Sequence, residues 1–171
     1  MEKKLISLVT PCYNEEENVA MLYEQVKVVI EGQLNKYDYE HIFIDNASSD
    51  NTVEILKEIA KNDNNVKIIV NSRNFGHLRS PVYAMMQASG DVVISLVADL
   101  QDPPEMIVDF IRSYEEGYNI VLGIKDSSKE NSLMFKIRGL YYSLLNKVSD
   151  TEIYENYTGF GLYDKKTIEA L

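Results

Sequence analysis

The feature that most constrains the fold is a regular alternation of short apolar runs with longer segments of helical periodicity. We predict five strands, at residues 5–10, 40–44, 66–70, 92–96 and 119–124. Helices are expected at residues 14–31, from 50 or 52 to 62, and at 81–89 and 103–116. Strands that are apolar throughout are typical of parallel sheets covered by helices on both faces. The alternation therefore predicts an α/β fold with a mostly parallel sheet.

Size and charge limit the classes of function. A chain of 171 residues with 45% hydrophobic residues fits one domain spanning residues 1–171. The net charge of -10 argues against a general nucleic-acid binder. Residues 125–147 are the exception, with five basic and two acidic side chains.

The chain has no obvious export or membrane signal of its own. Its N-terminal apolar run is too short for a signal peptide, and no run reaches the length of a membrane span. A single cysteine, Cys12, excludes an intramolecular disulfide and fits a reducing compartment. We therefore expect a cytoplasmic domain. Because the sequence stops within a helical pattern at residues 167–171, we also expect it to be truncated before a C-terminal membrane region.

Polar residues follow nearly every predicted strand. They lie at residues 11–15, 45–50, 71–74 and 99–102, and at Lys125. In open α/β sheets, ligands bind beyond the carboxyl ends of the strands, so these residues are expected to form one site.

Three common sites are absent from the sequence. There is no Gly-x-Gly-x-x-Gly after the first strand, no Walker lysine motif and no Gly-x-Ser-x-Gly elbow. The carboxylates and amides that remain suit a hard cation, Mg²⁺ or Mn²⁺, that holds a substrate diphosphate.

Five motifs in the same order resemble family 2 glycosyltransferases of the GT-A fold, particularly the polyprenyl-phosphate branch similar to dolichol-phosphate mannose synthase. They are Pro11-Cys-Tyr-Asn-Glu-Glu-Glu-Asn18, Ile44-Asp-Asn-Ala-Ser-Ser-Asp-Asn-Thr52, Ser72-Arg-Asn-Phe-Gly76, Gly90-Asp-Val-Val93 and Ala98-Asp-Leu-Gln-Asp-Pro-Pro-Glu105. The resemblance implies a Rossmann-like GT-A sheet. It also implies transfer of a sugar from a UDP- or GDP-sugar, with inversion, to a polyprenyl phosphate at the cytoplasmic face of the membrane.

The resemblance also implies roles for single residues. The nucleotide-sugar would contact Pro11, Tyr13, Glu15, Asp45, Asn74 and Asp99. Asp99 and Gln101 would hold the Mg²⁺ or Mn²⁺, which neutralises charge on the departing diphosphate. The candidates to hold the acceptor phosphate are Lys125, Lys136 and Arg138. We predict that the catalytic residues are Asp99, Lys125 and Arg138.

The sequence departs from the family pattern at three places. Val97 replaces the first aspartate of the Asp-x-Asp motif, and Asp45-Asn46 stands where the family has Asp-Asp. Gly159-Phe-Gly-Leu162 replaces a frequent Asp-Phe-Arg-Leu. These departures bear on metal dependence and on the type of acceptor.

Several of these residues also have ordinary structural interpretations. Asp102 before Pro103 is typical of a helix cap, and Asn14 and Asp50 are interpreted in the same way. Cys12 is interpreted as a small packed residue. Gln101 remains open between metal ligand and loop amide, as does Arg73 between phosphate ligand and ion-pair partner.

Residues 133–148 are apolar with interspersed bases, which indicates either a packed helix or an interfacial helix on anionic lipid.

Two further functions stay open: transfer to a saccharide hydroxyl in polysaccharide or lipopolysaccharide assembly, and a catalytically weak nucleotide-binding module.

Overall fold

The structure, a computed structural model, describes residues 3–124 and 157–171. Lys125, Lys136, Arg138 and the segment 133–148 lie outside the described residues, so their predicted roles stay predictions. The chain divides into two compact units, residues 1–121 with 159–171, and residues 122–158. The candidate site lies in the first unit.

Six strands and five helices are described. The strands are β1 (Leu5–Cys12), β2 (Asp38–Asp45), β3 (Val66–Val70), β4 (Val92–Ser95), β5 (Ile120–Ile124) and β6 (Tyr157–Asp164). The helices are α1 (Val19–Gln33), α2 (Thr52–Asn62), α3 (Gly76–Met86), α4 (Met106–Glu115) and α5 (Lys165–Glu169). All five predicted strands are present, and β6 contains the Gly-Phe-Gly-Leu run.

The strands form one sheet in the order β3-β2-β1-β4-β6-β5. β1 pairs in parallel with both β2 and β4, and β2 pairs in parallel with β3. β6 runs antiparallel to β4. These pairings confirm the predicted mostly parallel α/β sheet. Helices cover both faces of the sheet, which explains why its strands are apolar throughout.

Buried side chains form two hydrophobic clusters. The larger cluster packs α1 and α4 on residues such as Ile6, Leu8 and Ile94. The smaller cluster packs α3 and α5 on Val9, Ile42 and neighbouring strand residues. Alternate residues of β1 therefore face different clusters, which is the period of two expected for a strand covered on both faces.

A buried polar group ties β1 and β2 to the start of β4. Glu40 is buried; its Oε1 accepts a hydrogen bond from Ser7 Oγ at 2.5 Å and from Ser89 N at 2.7 Å, and Lys67 pairs with its Oε2. Gly90 N donates to Ser7 Oγ, and a Cβ at Gly90 would lie 2.6 Å from the same oxygen. The Gly90 of the fourth motif is therefore required for close approach of the backbone.

Three helices begin elsewhere than predicted. α1 begins at Val19 rather than near Asn14, and α4 begins at Met106 rather than at Pro103. α3 begins at Gly76, so Pro81 is its sixth residue and has no N–H to offer the carbonyl of His77. For α1 and α4, the predicted start rested on Asn14 and Asp102 as helix caps, and neither residue caps its helix.

Candidate functional site

The carboxyl ends of three strands are in register. Cys12 of β1 pairs with Asp45 of β2, which in turn pairs with Val70 of β3. β4 ends at Ser95, opposite Val9, and its following loop leads to Asp99. The sequence-predicted polar segments therefore begin along one edge of the sheet, which we call the rim: residues 11–16, 45–52, 71–76 and 97–102.

Asp45 is the most constrained carboxylate of the rim. Its side chain is fully buried, and its Oδ2 accepts a hydrogen bond from Ser48 N at 3.0 Å. Its buried Oδ1 accepts no hydrogen bond from any of the described residues. A buried acceptor without a partner costs about 1–3 kcal/mol. Asp45 is therefore the rim carboxylate with an unused acceptor, and its predicted contact with the base or ribose stays a prediction.

The segment after β1 is fastened to the loop after β2. Asn14 has a positive φ of 55°; its N–H donates to Ser48 Oγ at 2.9 Å, and its Oδ1 accepts from Ser49 N at 2.8 Å. Glu15 N donates to Thr52 Oγ1 at 2.8 Å. The interpretation of Asn14 as a helix cap is therefore wrong, because its amide joins two loops instead.

The same fastening continues at the start of α2. Asp50 Oδ1 accepts hydrogen bonds from Thr52 N at 3.0 Å and Thr52 Oγ1 at 2.6 Å. Because Asn51 is the residue directly before α2, Asp50 stands one position outside the capping position predicted for it. Burial opposes ionisation of Asp50, but the hydrogen bonds from Thr52 and Glu16 outweigh it and lower the pKa of this carboxyl. Asp50 is thus an anion that organises both loops.

Asn46 explains one departure from the family pattern. Its Nδ2 donates to Asn74 Oδ1 at 3.0 Å and lies 3.4 Å from Gly76 O. Its Oδ1 accepts from Phe75 N at 2.9 Å and from Asn71 Nδ2 at 3.2 Å. A carboxylate at position 46 accepts but does not donate, so the amide is needed to hold the start of α3 against β2.

Asn74 and Gly76 complete this corner of the rim. Asn74 Oδ1 also accepts from Gly76 N at 2.8 Å, and Gly76 has a φ of 87°, a conformation that favours glycine. Asn74 was predicted as a nucleotide contact, and the structure places it at the rim with its side-chain oxygen already engaged. Its predicted contact with nucleotide stays a prediction.

The other predicted nucleotide residues also lie on the rim. Pro11, the second-last residue of β1, is partly buried, and Tyr13 after the strand is half exposed. Glu15 accepts a hydrogen bond from Asn18 Nδ2 at 2.7 Å. Cys12 is buried, and burial, followed by Glu15, Asp45 and Asp50, raises the pKa of its thiol. Cys12 is thus a packed thiol, as predicted, surrounded by negative charge.

The loop after β4 is more open. Asp99 and Gln101 are exposed, and Asp99 Oδ1 accepts a hydrogen bond from Gln101 N at 3.1 Å across a turn at Leu100, where φ is 57°. Val97 is partly buried, and Asp102 is buried. Because α4 begins at Met106, Asp102 does not occupy the helix-capping position predicted for it.

These residues fit a shared cation better than a cation held by the protein alone. Within residues 3–124 and 157–171, no three His, Cys, Asp or Glu side chains are grouped as metal ligands. Mg²⁺ is commonly bound through one or two protein oxygens together with substrate phosphates and water. Asp99 and Gln101 supply hard oxygen donors of that kind, so the donor set fits a cation that arrives with a diphosphate.

Sequence reasoning missed the residues that fasten the rim. Asn46 was read only as a departure from Asp-Asp, and the roles of Ser48, Thr52 and Asn71 were not foreseen. Asn46 and Asn71 carried a usable signal, since asparagine directly after a buried strand indicates a polar junction. Their partners, 9 to 30 residues away, have no signal in the local pattern.

Comparison with known proteins identifies the family. The sequence profile of glycosyl transferase family 2 matches residues 7–171. An uncharacterized glycosyltransferase, YkcC of Bacillus subtilis, is 36% identical over 96% of this chain and 51% of its own length. The bactoprenol glucosyl transferase of Shigella phage SfV is 36% identical over 97% of this chain and 54% of its own length. The chain spans about half the length of the curated relatives it matches.

A solved structure supports the fold. Glucosyl-3-phosphoglycerate synthase from Mycobacterium tuberculosis, solved with Mn²⁺, UDP and phosphoglyceric acid, has a TM-score of 0.66 and 20% sequence identity. The likeness covers 95% of this chain and 56% of that one. In the described part of this chain, no helix combines the length and apolarity required to cross a bilayer. The chain has a GT-A fold and belongs to glycosyl transferase family 2.

Proposed function

We propose that this domain transfers a sugar from a nucleotide-sugar, a UDP- or GDP-sugar, to a polyprenyl phosphate. The observation that supports binding of the nucleotide-sugar is the buried Oδ1 of Asp45, which accepts no hydrogen bond from any described residue. Relatives named bactoprenol glucosyl transferase support a lipid-linked acceptor. The proposed site of action is the cytoplasmic face of the membrane.

The β1–β2 side of the rim binds the nucleotide in this proposal. Asp45 Oδ1 accepts a hydrogen bond from a base N–H or a ribose hydroxyl, which removes the cost of the unpaired acceptor. Tyr13 is half exposed and follows Cys12, the residue that pairs with Asp45 across the sheet. In this proposal it offers an aromatic face to the base, with Pro11 and Glu15 lining the same loop. The loops that carry these groups are already fixed by hydrogen bonds before any ligand arrives.

In this proposal the diphosphate of the donor binds at the β4 side of the rim. Glu15, Asp45, Asp50 and Asp99 give the rim a concentration of carboxylates, which disfavours a bare diphosphate. A bound Mg²⁺ or Mn²⁺, held by Asp99 and Gln101, supplies positive charge that stabilises the departing nucleoside diphosphate. Asp99 also orients the loop through its hydrogen bond with Gln101 N.

The acceptor needs little acid–base help. A phosphate monoester is anionic near neutral pH, so its oxygen attacks the anomeric carbon without a strong general base. The new carbon–oxygen bond forms as the bond to the diphosphate breaks on the opposite face, which inverts the configuration. We assign the acceptor phosphate to Lys125, Lys136 and Arg138, as the family resemblance implies.

A glycine weakens the saccharide-acceptor alternative. Transfer to a sugar hydroxyl requires a general base on the acceptor side, and the family often has an aspartate at position 159. Gly159 has a φ of 92°, where any side chain is strained. No base can therefore come from this position, whereas a phosphate acceptor needs none.

Donor binding is tested first, by thermal stabilisation and calorimetry with UDP, GDP, UDP-glucose and GDP-mannose, with and without Mn²⁺. We expect one nucleotide family to stabilise the chain and Asp45→Asn to weaken its binding. The matched control is Asp38→Asn, at the exposed start of the same strand. Absence of stabilisation by every nucleotide contradicts the donor assignment.

Acceptor choice is tested by product analysis of the protein as it occurs in full length. Radiolabelled sugar should appear on undecaprenyl phosphate and not on an oligosaccharide. A labelled oligosaccharide would support the saccharide alternative instead. Nucleotide binding without turnover on either acceptor would support the catalytically weak binding module.

A further inference from the structure

We propose that the outer face of α3, together with the lysines of α5, is a docking surface for an anionic lipid bilayer. We call it the α3 face, defined by Phe75, Leu78, Val82, Tyr83 and Met86, with Arg73 and Arg79 in the same segment and Lys165 and Lys166 on the adjoining helix α5. It is distinct from residues 133–148, which lie outside the described residues.

The α3 face lies in the longest stretch of this chain without an acidic residue. No Asp or Glu occurs between Asp63 and Asp91, although the chain has 27 acidic residues in all. The same stretch contains Lys67, Arg73, Arg79 and a histidine. A chain of net charge -10 is repelled by an anionic surface, so an acid-free basic segment is where such a surface can approach.

Large apolar side chains are exposed along one side of this helix. Their exposed fractions are 71% at Leu78, 41% at Val82, 52% at Tyr83 and 55% at Met86, with Phe75 at 38% just before the helix. Spacings of three and four residues place them on one side, while Ser80, Ala84 and Met85 are buried. The sheet thus covers one side of α3, and the other carries apolar groups into solvent.

Basic groups accompany the apolar stripe. Arg73 stacks over the ring of Phe75, with its guanidinium carbon 4.7 Å from the ring centroid. α5 packs against α3 through Ile168. Its Lys165 and Lys166 are exposed, and Glu169 is the one acidic residue within this helix. Exposed apolar side chains with surrounding lysine and arginine are the composition of a helix that rests in a bilayer interface.

A cavity beside the stripe has the same mixed chemistry. It measures about 460 Å³ between β3 and α3, with apolar walls that include Val70, Phe75 and Tyr83. Arg79, Ser72 and Ser80 supply polar groups. An apolar cleft with a guanidinium at its edge suits a lipid that carries a phosphate.

The position of α3 gives this surface a consequence for the site. α3 begins at Gly76 on the rim and its 11 residues extend about 16 Å. A bilayer lying along the α3 face is therefore within one short helix of the strand ends. The inference concerns binding to lipid alone and does not depend on the proposed transfer reaction.

The test is flotation of the 171-residue chain with vesicles that contain no polyprenyl phosphate and no nucleotide. Vesicles of phosphatidylcholine alone are compared with vesicles containing phosphatidylglycerol, at low and high salt. We expect binding that requires phosphatidylglycerol and weakens with salt. Arg79→Gln should weaken it about fivefold, the effect of one basic residue near a charged surface.

Matched variants on α3 and α1 test whether vesicle binding requires the α3 face or any exposed apolar side chain. Leu78→Glu and Met86→Glu should each weaken binding roughly tenfold or more, because a charge replaces an inserted apolar group. Val28→Glu and Met21→Glu on α1 alter side chains that are 69% and 52% exposed, and these should bind like the parent. Unchanged thermal unfolding of all four variants establishes that they are folded.

Three results overturn the proposal. One is failure of the parent chain to bind vesicles that contain phosphatidylglycerol. Another is equal loss in the α1 and α3 variants. The third is a parent dimer in sedimentation that Leu78→Glu dissociates while vesicle binding is unchanged, which would assign the α3 face to a second copy of the chain.

Discussion

The two halves of the rim differ in how completely the protein organises them. On the β1–β2–β3 side, Asn14, Asn46 and Asp50 fasten neighbouring loops through hydrogen bonds of 2.6 to 3.4 Å. On the β4 side, Asp99 is exposed, and among residues 3–124 and 157–171 its carboxylate accepts a hydrogen bond from Gln101 N alone. Under the proposed function, this difference predicts a preformed nucleotide half and a diphosphate half that would be completed by the substrate and its cation.

The unequal organisation has a physical reason. A nucleoside is recognised by fixed hydrogen bonds and stacking. Its affinity is higher when the binding loops are already ordered, because less conformational entropy is lost on binding. A cation shared with a diphosphate obtains most of its ligands from phosphate and water, so the protein needs to supply only one or two oxygens. We therefore expect the absence of a carboxylate at Val97 to cost little on this side, and the loss of the Asn46 amide to cost more.

The largest expected effect is on catalysis by the β4 side. Asp99→Asn should lower turnover about 100- to 1,000-fold, because the cation that would neutralise the departing diphosphate would lose a charged protein ligand. Steady-state transfer assays with the full-length protein measure this, with Asp109→Asn on the exposed side of α4 as the control. Turnover within a few-fold of the parent would remove Asp99 from the site.

A smaller effect, on stability, is expected at the β2–β3 junction. Asn46→Asp removes the donor to Asn74 Oδ1 and Gly76 O and places a carboxylate beside both oxygens. We expect the free energy of unfolding to fall by about 2–3 kcal/mol, measured by urea denaturation. Asn35→Asp, at an exposed position in the turn between α1 and β2, is the control and should change little. Equal losses in the two variants would show that the Asn46 network has no special weight.

The next effect is on nucleotide affinity. Asp45→Asn keeps an oxygen for Ser48 N but presents an amide where a ligand donor is expected, so two donors would meet. Affinity for the nucleotide should fall about 10- to 100-fold with little change in stability, by calorimetry and thermal unfolding. If unfolding shifts as much as binding, Asp45 acts through the fold instead.

The mildest effect concerns pH and the strand that carries Asp45. Burial lowers the pKa of His41, in β2, to about 3 from its ordinary 6.5, although Asp63 opposes the shift. The unfolded chain takes up a proton near pH 6.5 and the folded chain does not until about pH 3. Stability therefore falls as the pH drops below 6.5, by about 1 kcal/mol between pH 7 and pH 5.5.

His41→Gln isolates this contribution, because glutamine retains a partner for Thr10 Oγ1, which lies 2.9 Å from His41 Nε2. Urea denaturation at pH 7 and pH 5.5 should show a smaller loss in the variant than in the parent. The same loss in both proteins would mean that the carboxylates, not His41, govern acid sensitivity.

The sheet and the rim were predictable because their signals are local. Apolar runs such as 92–96 and the polar residues that follow them reveal strands and strand ends, and parallel ends meet at one edge. Asp45 and Asp99 were found in this way. The resemblance to a known family then supplied the expected roles for Pro11, Tyr13, Glu15 and Gln101.

The helix starts and the fastening network were not predictable, because they depend on contacts between distant segments. Asn14 has good capping chemistry, but Ser48 and Ser49, 34 and 35 residues later, engage its backbone and side chain. Strand order was also hidden, since β6 inserts between β4 and β5 from residues 157–164. Position and residue type alone do not encode these pairings.

The most direct test of the unequal rim is nucleotide binding measured by calorimetry with and without Mn²⁺ for the parent, Asp45→Asn and Asp99→Asn. We predict that Asp45→Asn loses binding under both conditions, while Asp99→Asn keeps the metal-free affinity and loses only the gain from Mn²⁺. Loss of metal-free binding in Asp99→Asn, or parent-like binding in Asp45→Asn, would contradict a preformed nucleotide half.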